Sequence, residues 1–151
     1  MKKGKKILLF LLFLGAVTGG IIFYLAMKEA PTAADSKPIK SFKAEELIAE
    51  FEKNNHLADS LYKDKNIAVE GKLKKITDGA IVIEAGMSAD ISCTFDSASF
   101  AQNKAKFNPG RIVKIKGIYF SNDGFDVSAS EDDMFADLGK IIKLKTCAIN
   151  Q

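Results

Sequence analysis

A single histidine, two cysteines, three prolines and no tryptophan leave this 151-residue sequence little of the usual equipment for chemistry. His56 and the widely separated Cys93 and Cys147 cannot supply the four-ligand shell of a usual zinc site, so no metal is expected. There is no G-x-S-x-G elbow, no P-loop and no G-x-G-x-x-G fingerprint. Those absences remove the readable routes to a hydrolase, a nucleotide hydrolase or a nicotinamide enzyme. A C-x-x-C pair at a helix start, where thiolates are activated, is also missing. No catalytic residue and no cofactor are therefore expected. The acids Asp123, Asp126, Glu131, Asp132 and Asp133 lack the alternating spacing of a calcium loop and read as a solvated acidic loop. His56, beside Asn54 and Asn55, reads as a solvated surface residue.

An excess of positive charge is missing from most of the chain. The formal charge is +3, from 22 basic and 19 acidic residues. Lys2, Lys3, Lys5, Lys6 and Lys28, against Glu29 alone, precede Pro31. From Pro31 onward 17 basic and 18 acidic residues remain, a net of −1. A domain that holds nucleic acid needs a clustered positive field to neutralise phosphates, so nucleic acid is not the first expectation.

What the sequence does contain is one long apolar run. Residues 7–27, ILLFLLFLGAVTGGIIFYLAM, carry no charge. As a helix rising about 1.5 Å per residue they span roughly 30 Å, a bilayer's hydrocarbon core. The lysines of residues 1–6 place the N-terminus in the cytoplasm and the remainder outside. A cleaved signal peptide is the alternative, although its apolar region is usually only about 7–15 residues. Both readings export the rest of the chain. Residues 28–40, KEAPTAADSKPIK, with two prolines and mixed charge, read as a linker.

The remainder divides by period. Over 41–64, Leu47, Ile48, Phe51, Asn54, Ala58, Leu61 and Tyr62 recur at spacings of three and four, predicting one amphipathic helix with Ser41 as its N-cap. From residue 65 the period becomes two. Strands are expected at NIAVEGKLKKI, Ala80–Glu84, Asp90–Asp96, RIVKIKGIYF and IIKLKTCAI, with a weak helix over 97–107. Gly71 falls in a strand interior, where glycine often marks a bulge or bend. In the last strand Ile142 and Leu144 share a face, but Cys147 and Ile149 have the opposite parity, which a bulge near Lys145-Thr146 would reconcile. Three strands, a helix and two strands over 65–151 give the order of a five-stranded OB-fold barrel, here mainly β, with a preceding helix and an N-terminal transmembrane helix.

Particular motifs carry a resemblance. EELIAEFEKN followed by AD and YKDK leads into VEGKLKKI, and later come ISCTFD, VKIKG and the ending LKTCAI. Over residues 41–151 these resemble the tRNA-anti-like family of bacterial OB-fold proteins, exported or membrane-anchored and without an established function. The segment SASEDDMFADLG is longer than the connection this resemblance implies. In that topology the third and fifth strands are neighbours, which implies that Cys93 and Cys147 lie within reach of a disulfide; two buried free thiols are the alternative. OB-folds usually bind across the second and third strands and adjoining loops, which would engage Lys72, Lys74 and Thr94, with Tyr119 and Phe120. The first functional expectation is a non-enzymatic binding or scaffolding module on the outer face of the cytoplasmic membrane, with an envelope protein or glycan as partner. A single-stranded nucleic-acid-binding domain is second, and an enzyme with an unsigned site third.

Overall fold

The computed structural model describes Ala33 and residues 35–87, 89–125 and 139–150. The chain divides into two units, Met1–Pro31 and Thr32–Gln151, and the described residues belong to the second. The expected membrane segment at 7–27 and the acidic stretch at 128–138 lie outside them. Among the described residues no helix is long and apolar enough to cross a membrane.

Strand β2 (Asn66–Thr77) organises the sheet because it is long enough to pair twice on different stretches. Over Asn66–Lys72 it runs antiparallel to β5 (Ile112–Asp123), and over Lys72–Thr77 antiparallel to β3 (Ala80–Glu84). Strand β3 then pairs with β4 (Ala89–Thr94), β4 runs parallel to β6 (Lys140–Ile149), and β6 returns antiparallel to β5. The result is the closed, mainly β five-stranded barrel that the alternation predicts.

A sixth strand was not legible. Strand β1 (Lys40–Lys43) lies parallel to β2 against Ile67–Glu70, the stretch that the short β3 leaves unpaired. Phe42 drops into the core from it while its neighbours face out. Residues expected to be linker and helix start are thus sheet, and Ser41 is not a helix cap. Asn66 fastens the chain just before β1: its side-chain amide donates to the Ser36 carbonyl at 2.9 Å and to Ser36 Oγ at 2.8 Å.

The single helix expected over 41–64 is two. Helix α1 (Ala44–Lys53) starts with the Lys43 N–H donating to Glu46 Oε2 at 3.1 Å. It ends at Asn54, which turns extended (φ −161°), and whose Oδ1 accepts from the Leu57 N–H at 3.0 Å to cap α2 (Asn55–Tyr62). Asparagine's short acceptor competes well for such N–H groups, which is why it breaks the stripe rather than joining it. Leu47, Ile48, Phe51, Ala58 and Tyr62 are buried as expected, whereas Leu61 is 52% exposed.

The two ends of the barrel are closed by different helices. Strands β4 and β6 begin side by side at Ala89 and Lys140, and there the ammonium of Lys140 pairs with Glu52 of α1. At this end Phe51 packs on Tyr119 and Phe125, with ring centroids 5.2 and 5.6 Å apart. The far end of β4 runs into α3 (Ser97–Asn103), capped by Asp96 Oδ1 on the Ser99 N–H, where Phe95, Phe100 and Phe107 pack together. The interior between these plugs is filled by aliphatic side chains such as Leu73, Ile83, Ile91 and Ile142.

Irregularities in register re-aim particular residues. Gly71 itself is in register; the shift falls at Leu73–Lys75, with Lys74 the extra residue. Gly71 answers instead to close approach, since a Cβ there would stand 2.5 Å from Ile83 Cγ2 and 2.8 Å from Ala44 Cβ. The bulge anticipated in β6 is present: Lys116 faces Ala148 and Ile118 faces Lys145, with Thr146 at φ +48°. It returns Cys147 to the core beside Ile142 and Leu144. A third shift, between Tyr119 and Ser121, makes Phe120 the extra residue of β5.

Candidate binding surface

The residues that sequence reasoning nominated for a ligand do not form one site. Lys72 and Lys74 face outward from β2, but each meets a carboxylate of the neighbouring strands. Lys72 lies directly across from Glu84 (4.0 Å), and Lys74 Nζ reaches both oxygens of Asp90 at 2.8 and 2.9 Å. Glu84 and Asp90 are themselves cross-strand partners. Two lysines thus stand against two carboxylates, a balanced cluster with little net field to attract a phosphate. Thr94 is exposed at the far end of β4, opposite Ala80. The same neutralisation recurs around the domain, where seven lysine–carboxylate pairs occur among the described residues.

Adjacent in sequence, Tyr119 and Phe120 part company at the β5 bulge. Tyr119 is wholly buried; its hydroxyl donates to Asp59 Oδ1 at 2.6 Å and accepts from Asn122 Nδ2 at 2.7 Å. Burial, with the Asp59 carboxylate beside it, pushes its pKa well above the ordinary tyrosine value. It belongs to the machinery that fixes α2 to the barrel. Phe120 is 49% exposed and lies beyond the β2–β5 register, away from Lys72 and Lys74. Lys145 Nζ stands 4.8 Å and Lys63 Nζ 5.7 Å from its ring centroid, and Lys63 also donates to the Phe120 carbonyl at 2.6 Å. Lys145 is paired in turn with Asp64 at 3.6 Å.

A second clasp holds β1 and both N-terminal helices together. The Tyr62 hydroxyl donates to Glu50 Oε2 at 2.5 Å, and Lys40 of β1 pairs with the same carboxylate oxygen at 3.6 Å. The hydrogen bond from Tyr62, and secondarily Lys40, holds the Glu50 carboxyl below its ordinary 4.5. A depressed folded-state value means that the clasp contributes stability above the unfolded pKa and loses it as pH falls through the folded one. Urea midpoints of wild type and Glu50→Gln should therefore differ near neutrality and converge below pH 4.5. A gap that stays constant across that range would show the carboxylate charge to be irrelevant.

A broad recess lies between the first turn of α1, the middle of β2 and the end of β3. It encloses about 810 Å³, and glycines at 71, 86 and 110 contribute to its lining. Lys43, Glu45, Glu70, Lys72 and Glu84 set mixed charge around it, while Met87 and Ile112 stand on its rim. Met87 is fully exposed and Ile112 is 70% exposed. Of the residues nominated from sequence Lys72 alone lines this surface, because the rest of it depends on α1 approaching Gly71. The glycines themselves were the available signal. No aromatic side chain lines the recess, and among the described residues no cluster of histidine, cysteine and carboxylate could hold a metal.

Cys93 and Cys147 come together in the core, both as free thiols and exposed by 0% and 2%. Burial, with the Cys93 thiol beside it, pushes the Cys147 thiol up.

With this geometry in view, the chain can be set beside known proteins. Residues 1–125 match the family described as tRNA_anti-like. Among solved structures, a lipoprotein of Klebsiella pneumoniae subsp. pneumoniae MGH 78578, to which nucleic-acid binding is ascribed, is 15% identical with a TM-score of 0.54. That match covers 74% of this chain and 91% of the other. An OBody bound to hen egg-white lysozyme is 14% identical with a TM-score of 0.35, covering 59% and 84%. No curated protein matches the sequence.

Proposed function

The chain belongs to the tRNA_anti-like family, and from that premise we propose that it is a non-catalytic OB-fold binding module, displayed outside the cytoplasmic membrane on its apolar N-terminal segment, that engages an envelope protein. The observation that carries this reading is the combination of a neutralised strand face with an apolar-rimmed recess. The lysines an OB-fold would offer a ligand are spent on Glu84 and Asp90. Met87 and Ile112, the most exposed large apolar side chains among the described residues, stand at the rim of the recess. Exposed apolar groups rimmed by mixed charge favour protein contact. A glycan partner is less well served, because the recess offers no aromatic ring on which a sugar could stack.

The test is site-specific photo-crosslinking of the full chain in its own membranes. Probes at Met87 and Ile112 should give the same discrete polypeptide adduct, which Gly71→Ala abolishes from both positions and Ile112→Asp from Met87, while a probe at Lys75 gives none. Equal adducts from all three positions would remove the reading.

One observation favours a second reading, as a single-stranded nucleic-acid binder. Phe120, half exposed between Lys63 and Lys145, has the elements of a stacking platform with flanking cations. The function ascribed to the Klebsiella lipoprotein is of the same kind. This reading requires oligonucleotide affinity that falls steeply with salt and is lost in Phe120→Ala. Absence of binding at low salt removes it.

A further inference from the structure

The buried thiols are reactive groups that the proposed binding role does not use, and three independent features of the backbone converge on them. Strict alternation along β6 would turn Cys147 out of the core, since Ile142 and Leu144 already point in. A bulge reverses that parity, at the expense of a left-handed conformation at Thr146, which a branched residue rarely adopts. Opposite the bulge β5 has Gly117, and the space its missing side chain leaves is taken by sulfur: a Cβ there would lie 2.6 Å from Cys147 Sγ. On the other side β4 runs parallel to β6 with Cys93 in register with Leu144, and both sulfurs are enclosed in the same core. Filling core volume alone would need neither the bulge nor a second sulfur beside the first.

We propose that Cys93 and Cys147 form a disulfide joining β4 to β6, that the bond is made while the chain is folding, and that the closed barrel then preserves whichever redox state it enclosed. The oxidant is an external disulfide, small-molecule or protein-borne, of the kind found outside the cytoplasm. One protein thiolate attacks it, forming a mixed disulfide and releasing one thiol. The second protein thiolate attacks the protein sulfur of that mixed disulfide and releases the other. Two protein thiols lose two protons and two electrons in all, and the oxidant's disulfide becomes two thiols.

Enclosure follows from burial. An attacking sulfur must line up with the incoming disulfide, and neither cysteine is more than 2% exposed. Burial also disfavours the thiolate, the species that attacks. Exchange in the folded protein therefore waits on opening of the sheet. The folded dithiol is inert for the same reason that the folded disulfide is.

The experiment uses the full chain in detergent and a glutathione redox buffer, so it does not depend on where the protein resides or what it binds. In one arm the reduced, denatured chain refolds in that buffer. In the other it first refolds under reductant, which is then exchanged for the same buffer. Both arms are quenched with a maleimide and weighed intact after denaturation. The first arm should give an unlabelled monomer lighter by two hydrogens, gaining two labels only after reduction. The second should keep two reactive thiols, oxidising at least about a hundredfold more slowly. Two free thiols in the first arm would overturn the disulfide. Equal rates in the two arms would overturn its enclosure. Cys93→Ser serves as control, since it should yield only a glutathione adduct or a free thiol at Cys147.

Discussion

Phe51→Ala should destabilise the domain by about 3–5 kcal/mol, read as a fall in urea midpoint with unchanged slope. Phe51 is fully buried and is the point at which the helical cap enters the barrel. Its ring meets Tyr62 of α2 on one side and Tyr119 and Phe125 on the other. The alanine leaves a void that no neighbour can fill, because Tyr62 and Tyr119 are tied by their hydroxyls to Glu50 and Asp59. Against a total stability of about 5–15 kcal/mol for a domain, that loss is a large share. The whole domain should weaken together, since the ring bridges cap and barrel. Loss of hydrogen-exchange protection in α1 and α2 alone, with the strands unaffected, would mean that the cap folds as a separate unit.

Gly71→Ala should cost about 1–3 kcal/mol although it adds a single methyl group. The backbone there is not in the left-handed region, so the penalty is steric. The new Cβ would fall 2.5 Å from Ile83 Cγ2 and 2.8 Å from Ala44 Cβ. Ile83 is buried, and Ala44 has no rotamer with which to retreat, so α1 itself must lift. The double variant with Ala44→Gly removes one of the two clashes. It should be more stable than the sum of the single effects, with a coupling of about 0.5 kcal/mol or more. Strict additivity would show that helix and strand do not press on one another at this point. The same lift would deform the recess that Gly71 helps to line, so stability and partner binding should fall together.

How far the sequence can be read depends on the range of the interaction responsible. Strands β4, β5 and β6 were legible because each buries one face, which period-two alternation records directly. Strand β3 was legible as a short apolar run after a turn, although it and the start of β2 are buried on both faces; the β6 bulge could be inferred because Cys147 broke the parity. Strand β1 was not, because KSFK is too short to show a period and exists only to pair with the half of β2 that β3 leaves vacant. The break at Asn54 turned on one side chain bonding locally in preference to continuing the helix. At the surface, the partners of Lys72 and Lys74 were not legible, because Glu84 and Asp90 are brought beside them from two other strands. Tyr119 and Phe120 occupy adjacent positions, but only the register shift between β5 and β6 decides which is core and which is surface. The recess at Gly71 depends on tertiary approach and left only an unexplained glycine in the sequence.

Strand β1 bears on how the domain carries mechanical load. Any force arriving from the N-terminal side reaches the barrel through Asn66's grip on Ser36, the Ile39 N–H bond to the Asn66 carbonyl at 2.8 Å, and the β1–β2 pairing. A pull along the strand axis loads those bonds in shear, so that they must yield together. A pull across it peels them apart one at a time. The barrel can thus remain folded under a lengthwise tug that would unzip the same contacts sideways, and the direction of tension decides whether the domain stays whole.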